Sequence, residues 1–252
     1  MLKQFLKKRL KPLLIFVGIN PAFLYKWYWK DRKQWLHQGG KIYKLYPIGY
    51  DHDGDAGKAT GHYFHQDLLV ASYIHQRKPS RHIDVGSSIT GFVAHLASFR
   101  EVEVMDIRPL KPSIHQNMKF TQADLMQPHH QREITDSLSC LHAIEHFGLG
   151  RYSDPIDVNG HIKGITNLVQ LIKPHGMLYI SFPIGKKDEV HFNAHRVFHP
   201  LSIFEYPSVK QHLELIKFDF VDDLGDLHLD CKPEEILGKV VYGCGIYTFQ
   251  KI

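Results

Sequence analysis

From about Ser80 to the C-terminus, short runs rich in β-branched and aromatic residues alternate with helical patterns, until the last two runs, where the alternation stops. "HIDV" reads as a strand and "GFVAHLASF" as the start of a helix. "VEVMDI", "MKFTQAD", "SLSCLHAI" and "MLYISFPI" read as the next four strands. A helix over "VNGHIKGITNLVQLI" and a tight turn at "KPHG" precede the fifth strand. Such alternation predicts an α/β domain around a mostly parallel sheet. The last two strands, "HLELIKFDFV" and "VVYGCGIYTFQKI", are joined by "DDLGDLHLDCKPEEILGK", which has no room for a crossover helix, so they must pair antiparallel. The expectation is a seven-stranded sheet, parallel except for its last strand, with no internal repeat.

The length of 252 residues, 43% of them hydrophobic, fits one large domain with an appended segment. The pattern divides it into an N-terminal arm (1–50), a helical lid (51–79) and the α/β domain (80–252). Charge is uneven. The first fifty residues carry eleven lysines and arginines against Asp31 alone, so the formal total of +5 belongs to the arm. There, "MLKQFLKKRLKPLLIFVG" spaces Leu2, Phe5, Leu6, Leu10, Leu13 and Val17 helically beside lysines, and "YKWYWKDRKQW" holds all three tryptophans. Residues 1–35 therefore suit the surface of an anionic membrane, or packing on the domain or a partner. The apolar run from Leu13 to Val17 is too short to span a bilayer, and no cleavage site follows it. The acidic remainder of the chain disfavours nucleic acid. Three cysteines, Cys140, Cys231 and Cys244, in no paired spacing, point to a reducing, cytoplasmic setting with no cysteine metal site. The expected location is thus cytoplasmic or peripheral on the inner face of the membrane.

Ligands of parallel sheets bind outside the carboxyl ends of the strands. "RHIDVGSSITGFVAHLA" places Asp84, Gly86, Ser87 and Ser88 at the first such end, but with fewer glycines than a pyrophosphate pressed on a helix N-terminus requires. It fits a phosphate-free ligand, or simply an ordinary strand-to-helix turn. Asp106, beside Ile107, ends the second strand 22 residues after Asp84, the spacing of an acid that holds ribose hydroxyls. "DHDGDAGKATGH" spaces Asp51, Asp53 and Asp55 as a calcium loop does, but Ala56 and His62 stand where glycine and glutamate are required. A phosphate loop in the same stretch fails on its glycine spacing, so both read as a polar loop.

The order of these motifs and the antiparallel ending resemble the class I S-adenosylmethionine-dependent methyltransferases over residues 80–252. "GHYFHQDLLVA", "CLHAIEHFGLGRYSDP" and "HFNAHRVF" resemble, more narrowly, a methyltransferase-like family of unassigned function found around bacterial polysaccharide genes. The resemblance implies a Rossmann-like fold with S-adenosylmethionine as cofactor. Asp84 would face its methionine end, Asp124 would take the adenine amino group, and Leu125 would donate through its backbone. It also places His142, Glu145 and His146 near the transferring methyl, with His146 as base and Glu145 as its orienter; the alternative is a loop that merely packs the pocket.

"HFNAHRVFHP" spaces His191, His195 and His199 four apart, but the Phe and Val interruptions and Pro200 argue for a substrate-facing loop over a metal-binding helix. His195, a third candidate catalytic residue with His146 and Glu145, would then hold an anionic or sugar substrate together with Arg196, beside His191 and Asn193. The helix "GHYFHQDLLVASYIHQR" would lid the crevice and offer His62, His65 and Gln66. Together these features imply O-methylation of a sugar or glycan intermediate, without a metal. Two other readings stand beside it: a methyltransferase-fold scaffold without catalysis, and a dinucleotide-dependent sugar-modifying enzyme.

Overall fold

The computed structural model of the protein describes residues 25–49, 52–128 and 130–252. The amphipathic stretch expected over residues 2–17 and Asp51 of the polar loop lie outside them. The chain forms two compact units, residues 1–58 and 59–252.

In the first unit, helix α1 (Lys26–His37) carries Trp29, Trp35 and Leu36 exposed, among Lys26, Lys30, Arg32 and Lys33. Trp27 stacks on His52, with ring centroids 3.7 Å apart. Trp35 donates its indole N–H to the Lys41 carbonyl at 3.2 Å.

The second unit begins with helix α2 (His62–Arg77) and strand β1 (His82–Val85). A π-type turn at Ile89–Val93 leads into the short helix α3 (Ala94–Ala97). Strands β2 (Val102–Asp106), β3 (Met118–Gln122) and β4 (Thr135–Leu141) follow, then helix α4 (Gly160–Leu171) and strand β5 (Ile172–Ile184). A hairpin of β6 (Glu189–His191) and β7 (His195–Val197) precedes helix α5 (Pro207–His212). The chain ends with β8 (Leu213–Val221), the two-residue β9 (Leu227–His228) and β10 (Gly243–Lys251).

One sheet runs β3-β2-β1-β4-β5-β10-β8-β9. Its first five strands are parallel, and β10 inserts antiparallel between β5 and β8. The seven expected strands and their antiparallel finish are present, and β9 adds a short eighth at the edge. Two expectations are corrected. "KPHG" is drawn into β5, with His175 at φ 63° and a register shift opposite Thr135 and Ser137, because residues on both sides of the turn pair with β4. "HFNAHRVF" is a hairpin and not a loop, with His191 opposite His195.

The period-two alternation of the central strands sorts the core into two layers. Leu178, Ile180 and Phe182 of β5, with Tyr247 and Phe249 of β10, pack on the α4/α5 face against Ile165, Leu168 and Val209. Met177 and Tyr179, with Cys244 and Ile246, pack on the opposite face against Val70 and Ile74 of α2, Phe92 of the π-type turn and Leu96 of α3. Helix α2 is therefore a layer of the sandwich and not a lid, and it belongs to the same unit as the sheet. Only its first turn reaches the crevice that opens where β1 and β4 lead their connections in opposite directions.

Candidate active site

The turn after β1 is built around a buried carboxylate. Asp84 is fully buried and accepts from the hydroxyls of Ser87 and Ser139, both at 2.6 Å, and from the Ser87 backbone N–H at 3.2 Å. Burial pushes its pKa up to about 6. The expected contact with a ligand's ammonium group is thus corrected: Asp84 faces the sheet and braces the turn. Ser87 also accepts from the Leu141 N–H at 3.0 Å, tying β1 to β4. Gly86 lies at φ 71°, and a Cβ there would come 3.0 Å from that of Ala143, so the position favours glycine on both counts. Ser88 caps the π-type turn by accepting from the Gly91 N–H.

A pocket, about 520 Å³ when the solvent in its open mouth is included, lies at the carboxyl ends of the strands. Gly86, Asp106, Ile107, Asp124, Leu125, His142 and His146 all line it, so residues predicted from four separate stretches converge on one space. Asp106 is capped in place by Arg108, whose backbone N–H and Nε donate to Oδ1 at 2.8 and 2.9 Å and whose Nη2 donates to Oδ2 at 2.5 Å. The Arg108 guanidinium lies 4.2 Å from the ring centroid of Tyr152, and both side chains border the cavity. Asp124 accepts from the Met126 N–H at 2.9 Å, which holds its own turn at the mouth of the pocket. The Leu125 carbonyl accepts from the Asn167 side chain at 2.6 Å, fixing that turn on α4.

Beyond β4 the site is made of rings. His142 sits at φ 48°, and its Nδ1 donates to Glu145 Oε1 at 2.8 Å. Its Nε2 and the other Glu145 oxygen are buried without hydrogen-bond partners. Burial pushes the His142 pKa down, but the thiol of Cys244 and the Glu145 carboxylate outweigh it and raise it to about 10. The His142 ring stacks on His62, with centroids 5.3 Å apart and planes 8° apart. His62 is held lowered to about 4 by burial and then by its positive neighbour His142.

His146 donates from Nδ1 to the Ala194 carbonyl at 2.8 Å. A carbonyl can only accept, so the lone pair of the neutral ring is on Nε2. Burial, aided by the charge of Arg151, lowers its pKa and keeps it neutral. Glu145 lies 3.7 Å from His146 Nε2, beyond hydrogen-bond distance. The assignment of Glu145 as the orienter of His146 is therefore corrected: Glu145 orients His142, and Ala194, delivered by the hairpin, orients His146.

The hairpin splits the remaining predicted residues. His195 comes within 3.3 Å of the Tyr242 hydroxyl, and its ring centroid is 6.5 Å from that of His146. His191 contacts His195 and Glu189, whereas Asn193 is exposed at the turn. His199 lies apart, accepting from the Leu201 N–H at its ring. Arg196 is corrected from substrate anchor to brace: it is buried, and its guanidinium donates to the carbonyls of Glu145 and Phe147 at 3.3 and 2.6 Å. Of the α2 residues, Gln66 is buried and accepts from Ser181 at 2.6 Å, and His65 has its ring against Phe64. Of these three only His62 reaches the ring cluster, joined by Tyr63 beside it, whose ring centroid is 5.0 Å from that of His142.

Arg108, Tyr63, Tyr152, Tyr242 and Cys244 were not singled out from the sequence as site residues. Arg108 was open to discovery as the residue two past a strand-terminal acid. The others are brought in by long-range packing that no local spacing encodes.

Seven strands in this order, with β10 reversed between β5 and β8, decide the architecture. The fold is that of the class I methyltransferases. Among solved structures with this fold is a Burkholderia thailandensis 1,6-didemethyltoxoflavin-N1-methyltransferase with bound 1,6-didemethyltoxoflavin and S-adenosylhomocysteine. It is 12% identical with a TM-score of 0.52, over 74% of this chain and 78% of that one. Another is the [4+2]-cyclase SpnF, 13% identical with a TM-score of 0.52, over 79% of this chain and 89% of that one. A family model described as a Caenorhabditis protein of unknown function, DUF268, matches residues 104–228, just under half of the chain. A search of curated proteins returns no match. Among the described residues no helix is long and apolar enough to cross a membrane.

Proposed function

We propose that the protein is an S-adenosylmethionine-dependent methyltransferase that acts on a hydroxyl of a sugar or glycan intermediate. The observation that carries the cofactor half is the single cavity lined by Gly86, Asp106, Asp124 and His142. In this reading Asp106 takes the ribose hydroxyls, the Asp124 turn meets the adenine, and the methionine end lies over Gly86, where the lack of a Cβ permits close approach. The acceptor half follows from His146. His146 lines the same cavity, and in this reading its neutral imidazole takes the proton from an attacking hydroxyl through Nε2 as the oxygen–carbon bond forms and the sulfur–carbon bond breaks. The rings of Tyr63, Tyr152 and Tyr242 suit the faces of a sugar.

The glycan class rests on the sequence resemblance to proteins found around polysaccharide genes. Contact of the arm with an anionic membrane rests on the arm's charge and on the exposed Trp29, Trp35 and Leu36 of α1. Cytoplasmic placement follows from the unpaired cysteines.

Calorimetric titration of the full chain with S-adenosylhomocysteine tests the cofactor reading. One site with micromolar affinity is expected, lost on Asp106→Ala. Absence of binding at millimolar ligand to folded protein overturns the reading, and binding of NAD in its place supports the dinucleotide alternative.

A further inference from the structure

The first residue of α2, the end of β4 and the start of β10 place three metal-binding side chains together. A nitrogen of His62, a nitrogen of His142 and the Sγ of Cys244 all lie within 4.8 Å of one another. A second observation points to a ligand. The His142 side chain is 5% exposed, and its Nε2 is buried without a hydrogen-bond partner while Nδ1 is committed to Glu145 at 2.8 Å. A carboxylate on the far nitrogen of a histidine is the arrangement that fixes a metal-binding imidazole and raises its basicity.

The three backbones are independently pinned. Thr60 Oγ1 and the Gly61 N–H both donate to the Gly225 carbonyl, at 2.7 and 2.9 Å, which sets the start of α2. The His142 N–H donates to the Ser181 carbonyl at 3.0 Å. Cys244 is paired on both sides within the sheet, opposite Pro183 and Val221. Tetrahedral zinc with one thiolate and two imidazoles holds its ligand atoms about 3.3–3.6 Å apart. The present separations, all within 4.8 Å, exceed these by little more than an ångström.

We propose that His62, His142 and Cys244 form a Cys-His₂ site for a divalent ion of the zinc type, with its fourth position open to the crevice that His142 lines. A thiolate with two imidazoles selects zinc or cobalt over magnesium or calcium, which prefer oxygen. On ligation the thiol proton of Cys244 leaves to solvent, and both histidines bind through neutral nitrogens, His142 with its N–H kept on Glu145. Glu145 is a positioning residue that keeps His142 aimed. The site stands whether or not the protein transfers methyl groups. If it does, an acceptor hydroxyl or thiol at the open position would be deprotonated more readily.

The experiment is metal titration of the full-length protein after dialysis against a chelator, with Zn²⁺ followed by calorimetry and Co²⁺ by absorbance. One ion per chain, low-micromolar or tighter, with a thiolate-to-cobalt charge-transfer band is expected. Cys244→Ser should abolish that band, His62→Gln should weaken binding, and Glu145→Gln should weaken it about 10–100-fold. Circular dichroism checks that each variant is folded; His62→Gln, at the edge of the core, keeps the test open if the Cys244 variant is not. No stoichiometric metal, cobalt bound without the thiolate band, or affinity unchanged in folded Cys244→Ser or His62→Gln overturns the site. Metal bound without S-adenosylhomocysteine binding would sustain this site and remove the cofactor reading alone.

Discussion

The two walls of the crevice are built by opposite means. On the side of β1, β2 and β3, each acid is satisfied within a few residues of itself: Asp106 by Arg108, Asp124 by Met126, Asp84 largely by Ser87. On the side of β4, β5 and β10, His146 and the Glu145 carbonyl are held by Ala194 and Arg196, far away in the chain, while His142 and Glu145 pair with each other and leave two polar atoms with no hydrogen-bond partner. A locally satisfied wall is complete before any ligand arrives. A wall with buried unpaired atoms is costly to fold and is explained by what it is poised to bind or move. The contrast supports the proposed division, with recognition on the first wall and chemistry on the second.

The sharpest way to break this division is His146→Ala. If the ring wall does the chemistry, methyl transfer into a cell-envelope glycan extract should fall about 10²–10⁴-fold, while affinity for S-adenosylhomocysteine stays within about twofold. Because burial and Arg151 hold the His146 pKa below its ordinary value, the acid limb of the wild-type pH–rate profile should lie below 6.5, with a plateau above it. A comparable loss of cofactor affinity would show instead that His146 belongs to the recognition wall.

Asp84 offers a measure of what the recognition wall costs. Its pKa is raised from 3.8 to about 6 in the folded protein, so between those values the folded state binds more protons than the unfolded one. Stability should therefore be greatest below pH 4 with respect to this group, and fall by on the order of 3 kcal/mol as pH rises through 6. Asp67, also raised to about 6 by burial, acts in the same window and direction. Denaturant unfolding between pH 4 and 7 checks this, with Asp84→Asn expected to flatten the dependence. A slope of opposite sign would mean that the carboxylate is better solvated by its serine partners than its burial implies.

The same contrast explains what the sequence made legible. Gly86, Asp106 and Asp124 stand at successive strand ends, where strand periodicity and turn chemistry are local signals, and all three line the cavity. The antiparallel pairing of β8 and β10 was equally readable, because the segment between them is too short on helical pattern for a crossover. Asp84 was misplaced because its type and position indicate a ligand acid, whereas only the burial of Ser87 and Ser139 beside it shows which way it faces. Arg196 failed similarly: an arginine next to a predicted substrate histidine looks outward until the hairpin alternation turns it inward, toward the carbonyls of Glu145 and Phe147. Cys244 lay beyond local reading altogether. Nothing near it in sequence resembles a ligand set, and only the insertion of β10 beside β5 brings it to His142 and His62.

Arg108 sharpens the comparison on the smallest scale. Its side chain occupies an acid a cofactor would need, through Nε and Nη2 on Asp106, and it is nearly half exposed. A ribose diol can reach the same oxygens only if the guanidinium withdraws along Tyr152, which it already faces. An ion pair this open to solvent contributes at most about 1 kcal/mol, so Arg108→Ala should tighten S-adenosylhomocysteine binding by about twofold to fivefold. The gain should shrink as salt is raised and the wild-type pair is screened. If the variant binds more weakly, Arg108 is itself a contact to the bound cofactor, and the wall that looks complete without its ligand is in fact rearranged by it.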